Sequence, residues 1–300
     1  MFTEPADGER YPFIASRRSH MAAAIGAVRD SVLDEALQLF DAEDYPRIIE
    51  LLRAPGIQND PDAIYMLGCA LDLSGNSGEA LKAFETLVVL GDARGPGAIA
   101  QHFWNIDQFD DALVWYDRAV EVGDSEAELE YSRALLWLER TTAAKSHLQS
   151  LLATDGSTGD EAAGLLGSVL AFEDDRGATV RALLTRGQEL EPDAKGWLGT
   201  FALREGNVRD GISLLESALT AGSTQASVAL GNYYAEAGQF DEARRAYQVG
   251  VEAGDKFVMF NLGAMLYVEF PRRRAESLRL IRAAVGAGDA LAKKWVRAHH

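Results

Sequence analysis

Few residues of this 300-residue chain have the types and spacing that catalysis or metal binding requires. Its histidines have no second ligand at the short spacing of a metal site. They are His20, His102, His147, His299 and His300. Adjacent acids such as Asp110 and Asp111 fall in turns or helix starts, where exposed carboxylates are common. The chain contains neither Gly-x-Ser-x-Gly nor a phosphate-loop motif. The sequence therefore predicts no catalytic residue, no metal and no cofactor.

Cysteine usage and hydropathy indicate the cellular compartment in which the protein is expected. Cys69 is the only cysteine, so an internal disulfide is impossible and a reducing, cytoplasmic compartment is expected. No apolar stretch approaches the roughly 18 residues of a membrane helix. Ser16-Arg17-Arg18 before Met21 to Val28 superficially resembles an export signal. The apolar run is short and lacks a small-residue cleavage site, so export is disfavoured.

The elements that must position any functional residue are visible in an internal repeat. A small or aliphatic residue recurs every 32 to 34 residues. The positions are Ile48, Ala80, Ala112, Ala144, Ala178, Gly211, Ala243 and Ser277. Thr179 is an alternative to Ala178, and Ser277 is preferred over Ala275. A period of this length predicts stacked helix-turn-helix units, each of which buries its apolar face against its neighbours.

Other columns of the repeat support the same unit. A small residue recurs in the first helix, where the second helix must cross closely. This column is Gly68, Ala100, Ser132, Gly167, Gly199, Gly231 and Gly263. Large apolar residues follow the small site of the second helix by four positions. They are Phe84, Tyr116, Leu148, Leu215 and Tyr247.

Glycine and aspartate mark the ends of the predicted helices. Gly91, Gly123, Gly254 and Gly288 stand where second helices must end, since glycine takes a left-handed conformation there without steric cost. An aspartate follows each of these glycines and is expected to cap the next helix. Gly75, Gly206 and Gly238 mark the turns inside the hairpins.

These motifs resemble the tetratricopeptide repeat. The resemblance is carried by Gly231, Tyr234, Ala243, Tyr247 and Gly250. The Ala-Gly-Asp endings at 253–255 and 287–289, and the extra residues at 270–274, look more like the related Sel1-like repeat. The resemblance covers about residues 29 to 298. It implies an all-α fold, a right-handed α-solenoid superhelix of about eight helix-turn-helix repeats. Residues 29–300 would form the solenoid with a C-terminal capping helix, and residues 1–28 a flexible N-terminal arm.

The resemblance also implies a binding groove. In such arrays the first helices line the concave face, and carrying the motif onto this chain gives a set of candidate groove residues. They are Tyr65, Gln101, Trp104, Asn105, Arg133, Trp137, Phe172, Arg204 and Asn232. Trp104, Trp137 and Phe172 are predicted as apolar anchors, because other columns already fill the hairpin interior. The alternative is that these aromatics pack between adjacent repeats.

The groove composition narrows the expected partner. The clamp that chaperone-binding repeats use for a terminal carboxylate needs lysine and asparagine, whereas Tyr65, Cys69, Gly97 and Gln101 stand at the corresponding places. We therefore expect a protein or peptide partner that presents an apolar or amphipathic segment. Some Sel1-like proteins bind β-lactams but carry paired cysteines in every repeat, so that function is disfavoured here.

Charge is distributed unevenly along the chain. The net charge is −17 and the isoelectric point about 4.7, which disfavours nucleic acid as a partner. Residues 270–300 nevertheless hold eight basic residues against Glu276 and Asp289. This basic end is either a solvated terminal cap or a docking patch for an acidic partner or an anionic membrane.

Three classes of function fit the sequence. A noncatalytic scaffold that binds a protein or peptide is the preferred one, because such repeats serve many unrelated partners. A regulator whose solenoid changes curvature on binding a small peptide is the alternative, although residues 1–28 are too few for an effector domain. An enzyme or an enzyme-associated subunit is the third.

Overall fold

The computed structural model describes residues 31–54 and 56–299 of the chain. The interpretations given above for residues 1–28 lie outside these ranges. Helices and turns make up all of the described secondary structure. The α-helices are α1 Ser31–Asp41, α2 Tyr45–Leu52, α3 Pro61–Leu73, α4 Ser77–Leu90, α5 Arg94–Asn105, α6 Phe109–Glu121, α7 Ser125–Trp137, α8 Thr141–Leu151, α9 Ser157–Phe172, α10 Ala178–Gly187, α11 Pro192–Arg204, α12 Val208–Thr220, α13 Thr224–Glu236, α14 Phe240–Glu252, α15 Lys256–Glu269, α16 Arg274–Gly286 and α17 Ala290–His299.

The helices form two compact units, which meet in the chain between Ala134 and Leu135, inside α7. In the first unit, α1 packs with α2, α3 with α4 and α5 with α6. In the second unit the pairs are α9 with α10, α11 with α12, α13 with α14 and α15 with α16. The final helix α17 packs on α16. The described chain is thus an all-α array of about eight successive hairpins, as the repeat predicts.

Small residues are found where the sequence requires close helix crossings. A Cβ atom at Gly231 would overlap the ring of Tyr247, and one at Gly68 would overlap Phe84. Ser277 is fully buried and donates its hydroxyl to the carbonyl of Gly263 at 2.7 Å, which confirms it as the small site of α16. These pairs explain why large side chains are absent from one column and present in the other.

The register predicted for α10 is wrong by two residues. Ala178 and its alternative Thr179 are both exposed, whereas Val180 is 1% exposed. Gly167 of α9 faces Leu184, which follows Val180 by four residues. The longer α9 and the turn before α10 add residues to this repeat, so the fixed period selects the wrong position.

The helix ends follow the predicted punctuation. Gly91, Gly123, Gly254 and Gly288 have φ between 75 and 88°. Asp255 caps α15 by accepting from the backbone N–H of Phe257 at 2.8 Å and of Val258 at 2.9 Å. The extra residues of the last repeat form a short 3-10 helix, Pro271–Arg273.

Candidate functional site

Gln101 and Asn105, two of the candidate groove residues, belong to a buried polar network in the first unit. The Nδ2 of Asn105 donates to Oδ2 of Asp72 at 3.1 Å, and the Nε2 of Gln101 donates to Oδ1 of Asn105 at 3.2 Å. The hydroxyl of Tyr116 donates to Oε1 of Gln101 at 3.1 Å. His102, only 2% exposed, places Nδ1 2.6 Å from Oδ1 of Asp72. The two amides therefore hydrogen-bond to each other and to side chains of the neighbouring helices, with Gln101 buried and Asn105 half-buried.

The structure places Trp104 in the interior of the first unit. Its side chain is 3% exposed, and its ring contacts Phe109 edge to face with centroids 4.8 Å apart. This position differs from the expected exposed anchor. The helix turn that carries Trp104 faces α6, so the large ring is buried inside its own hairpin. Trp104 has the burial of a core residue.

Tyr65 supports a charged cluster that joins consecutive first helices. The guanidinium of Arg94 lies 5.0 Å from the Tyr65 ring centroid and 2.7 Å from both Asp62 and Asp92. The hydrogen bond from Arg94 lowers the pKa of Asp92, and the same contact raises the pKa of Arg94. Arg133, on α7, is half-buried with Nε 3.8 Å from Glu130.

The remaining candidates lie in the second unit. Trp137, at the end of α7, is half-buried. Phe172 ends α9 and is 49% exposed, and the side chain of Arg204 ends α11 and is 50% exposed. Phe172 and Arg204 are 32 residues apart in the sequence and occupy the same position in successive repeats. The Nη1 atom of Arg204 lies 3.7 Å from Oδ1 of Asp174. The pKa of Asp174 is lowered, mainly by its hydrogen bond from Arg176.

Asn232 has an amide whose orientation is set by its neighbours. Its Oδ1 accepts from the hydroxyl of Tyr247 at 2.6 Å and from Nδ2 of Asn261 at 3.2 Å. Both partners donate in this arrangement, so the oxygen of Asn232 faces them and its Nδ2 faces the other way. Among the described residues this Nδ2 has no acceptor. Asn232 therefore holds two N–H groups in a defined direction.

Two rows of side chains cross the first helices of the second unit, because α9, α11, α13 and α15 pack side by side. The polar row follows the small column by one residue and consists of Ser168, Thr200 and Asn232. The outer row lies four residues further along each helix, hence on the same face. It consists of Phe172, Arg204, Glu236 and Val268, all of them exposed. We call the surface that carries both rows the first-helix face.

Two residues that contribute contacts to this face, Gln225 and Asn261, were missed by the groove prediction. The Oγ of Ser168 is buried and has no hydrogen-bond partner in the described part of the chain. Gln225 donates to Oγ1 of Thr200 at 3.3 Å and so joins α13 to α11. Ser168 and Thr200 directly follow column glycines, and the repeat motif carried onto this chain assigns both to the groove. The roles of Gln225 and Asn261 depend on side-chain geometry that spacing does not encode.

Within residues 31–54 and 56–299, histidine, cysteine and carboxylate side chains form no group that could hold a metal ion. No helix in the same ranges is long and apolar enough to cross a membrane.

Comparison with known proteins defines the fold. No protein-family model and no curated protein sequence matches the chain. In the crystal structure of the APC/C hetero-tetramer Cut9-Hcn1, a chain superposes with a TM-score of 0.61 and 14% identity over 94% of this chain and 58% of that one. The apo form of the quorum sensor NprR from B. thuringiensis gives a TM-score of 0.54 and 14% identity over 92% and 93%.

A Sel1-like protein gives a similar match. The antigen c5321 of uropathogenic Escherichia coli, which displays an SLR fold, has a TM-score of 0.51 and 16% identity over 82% of this chain and 58% of that one. The chain thus spans little more than half the length of two of these proteins. At such identities the likeness concerns the fold, which is that of tetratricopeptide and Sel1-like repeat proteins.

Proposed function

We propose that this protein is a noncatalytic scaffold that binds an extended protein or peptide segment across the first-helix face of its second unit. The observation that carries the proposal is the directed amide of Asn232, whose oxygen is occupied by Tyr247 and Asn261. A side-chain N–H pair held in this way can donate to the backbone carbonyl of a segment without first losing conformational freedom.

The two rows supply different parts of the recognition. Within the polar row, the amide of Asn232 would donate to the backbone of the segment, independently of its sequence. Phe172 offers an exposed ring for an apolar side chain, and Arg204 offers a cation for an acidic one. The partner segment is therefore amphipathic, with an apolar residue and an acidic residue spaced to reach the two.

The dimensions set the length of the bound segment. Packed helices lie about 8–10 Å apart, so four first helices span roughly 25–30 Å. An extended chain rises about 3.3 Å per residue, and a segment of about eight or nine residues would cross all four. This length is long enough to specify one partner through several side chains.

A random peptide display library tests the proposal. Peptides selected on the wild-type protein are measured against Asn232→Asp, which keeps the acceptor oxygen for Tyr247 and removes both N–H donors. We expect this variant and Phe172→Ala each to weaken binding by about tenfold, a loss of about 1.4 kcal/mol.

Gln149→Glu, an exposed change on α8, controls for the added negative charge. It should bind the selected peptides as the wild type does. Equal affinity of wild type, Asn232→Asp and Phe172→Ala would place recognition on another surface. Circular dichroism of each variant separates loss of binding from loss of fold.

A further inference from the structure

Unpaired cations are concentrated on the last two helices of the second unit. Arg279 and Arg282 of α16 and Lys293, Lys294 and Arg297 of α17 are all exposed. None of these five side chains forms an ion pair or a hydrogen bond within the described part of the chain. Lys293, Lys294 and Arg297 share α17, and we call these three the basic patch.

Pairing elsewhere in the chain follows a different pattern. Most basic side chains between residues 31 and 269 lie next to a carboxylate, as Arg94 does with Asp62 and Arg186 with Asp160 at 2.7 Å. Beyond residue 270, Arg273 is paired with Glu276, but the patch cations have no acid beside them. The outer face of a terminal helix must be polar for solubility, but either positive or negative side chains would meet that need. In a chain with 46 acidic and 29 basic residues, three exposed cations on one helix form a local positive surface on an acidic protein.

The packing of α17 turns the patch outward. Ala292 is fully buried against Ile281 and Ala284 of α16, and Trp295 packs on the same cluster. Lys293, Lys294 and Arg297 must then occupy the opposite side of the helix. Leu291 of the same helix is 59% exposed and places an apolar side chain one turn before Lys294. No described element covers this side.

The chain itself carries a surface of complementary chemistry on α6, in the first unit. Asp110, Asp117 and Glu121 share one face of α6 at helical spacing and are all exposed. Val114, 52% exposed, lies between them. We call these four residues the acidic face. It therefore carries the opposite charge to the basic patch, and each surface includes one exposed aliphatic side chain, Val114 or Leu291.

We propose that the basic patch of one copy binds the acidic face of a second copy of this chain. The two surfaces differ, so the contact is heterologous, and each added copy leaves one free surface of each kind. Although two copies of charge −17 repel, the screening length is about 8 Å at physiological salt, and contacting charges then dominate. Association extends head to tail until it closes into a ring or is limited by concentration.

Two complementary variants test the proposal by sedimentation velocity. The patch variant combines Lys293→Glu with Lys294→Glu, and the face variant combines Asp110→Lys with Glu121→Lys. We expect the wild type to sediment above its monomer mass of 32.6 kDa and to dissociate at about 1 M salt, where the screening length falls to about 3 Å. Each variant alone should be a monomer, because each retains only one of the two surfaces that the contact needs.

Mixing the variants gives the sharpest result. The patch variant retains its acidic face and the face variant retains its basic patch, so an equimolar mixture should form dimers and nothing larger. Lys82→Glu combined with Arg209→Glu makes the same change in charge at two other exposed cations and should associate as the wild type does. Circular dichroism confirms that all variants are folded.

Three outcomes would overturn the proposal. One is a wild type that stays monomeric to high micromolar concentration at physiological salt. Another is a mixture of the two variants that remains monomeric. The third is a monomeric wild type that cosediments with vesicles containing about one third phosphatidylserine while the patch variant does not, since the patch then binds an anionic membrane.

Discussion

Individual residues in this protein act mainly by being small or by being oriented. Gly231 leaves space for the ring of Tyr247, and the hydroxyl of that ring holds the amide oxygen of Asn232. The first unit uses the same arrangement, since Tyr116 donates to Gln101. The small residue that allows close packing is therefore followed directly by a polar residue, as Gly231 is by Asn232.

Substitution of the column glycine tests this arrangement. In Gly231→Ala the new Cβ overlaps the Tyr247 ring, and we expect a loss of about 1–3 kcal/mol in unfolding free energy through overpacking. Ala112→Trp, at a fully buried site, should destabilise by the same mechanism. Gly78→Ala is the control, because no atom lies within 4 Å of its Cβ position, and it should be neutral or stabilising by about 0.5–1 kcal/mol. Equal denaturation midpoints for all three variants would refute the packing register.

At the scale of elements, polar links join neighbouring first helices in both units. Arg94 at the start of α5 reaches back to Asp62 of α3, 32 residues earlier. In the same repeat register, Asp193 of α11 accepts from the backbone N–H of Gln225 of α13 at 3.2 Å. Some of the capping carboxylates are buried. Burial raises the pKa of Asp255, which caps α15. Adjacent hairpins are thus aligned by charge and capping as well as by apolar contact.

The link through Arg94 predicts a dependence of stability on pH. Its hydrogen bond lowers the pKa of Asp92 below the ordinary value of 3.8, so the unfolded chain binds a proton at this site more readily than the folded one. The stabilisation is fully present above about pH 5 and is lost as the pH falls through the folded pKa. Urea denaturation should show the wild type more stable than Asp92→Asn at pH 6, with a difference that shrinks below pH 4. A difference that is constant with pH would contradict this account.

Over the whole chain, contacts are made mainly between helices that are close in sequence. Helices pair within their hairpins, and each hairpin packs against the helices that follow it. In such an array, stability is approximately a sum of repeat and neighbour terms, and a local defect stays local.

Hydrogen exchange measures this locality. Because Gly231→Ala strains the α13–α14 hairpin, we expect faster amide exchange in α11 to α16 and unchanged exchange in α3 to α5. The reference is wild type under the same conditions, with Gly78→Ala as the second comparison. Exchange that accelerates equally in every helix would show that the chain unfolds as one cooperative body.

The sequence by itself determined the hairpin architecture, most of the register and the helix ends. These features depend on local properties that recur with the period: a missing side chain at Gly231, a left-handed glycine at Gly254 and a capping carboxylate at Asp255. The same regularity misplaced the small site of α10, because an altered repeat length moves Val180 into the position assigned to Ala178.

Only the tertiary structure decided which candidate groove residues are available. Trp104 and Phe172 were assigned to the same role, yet the first is 3% and the second 49% exposed. The difference arises because exposure depends on neighbouring helices, here the contact of Trp104 with Phe109, and not on repeat position. The direction of the Asn232 amide likewise depends on Asn261, a donor from the next repeat, and no spacing within one repeat predicts it.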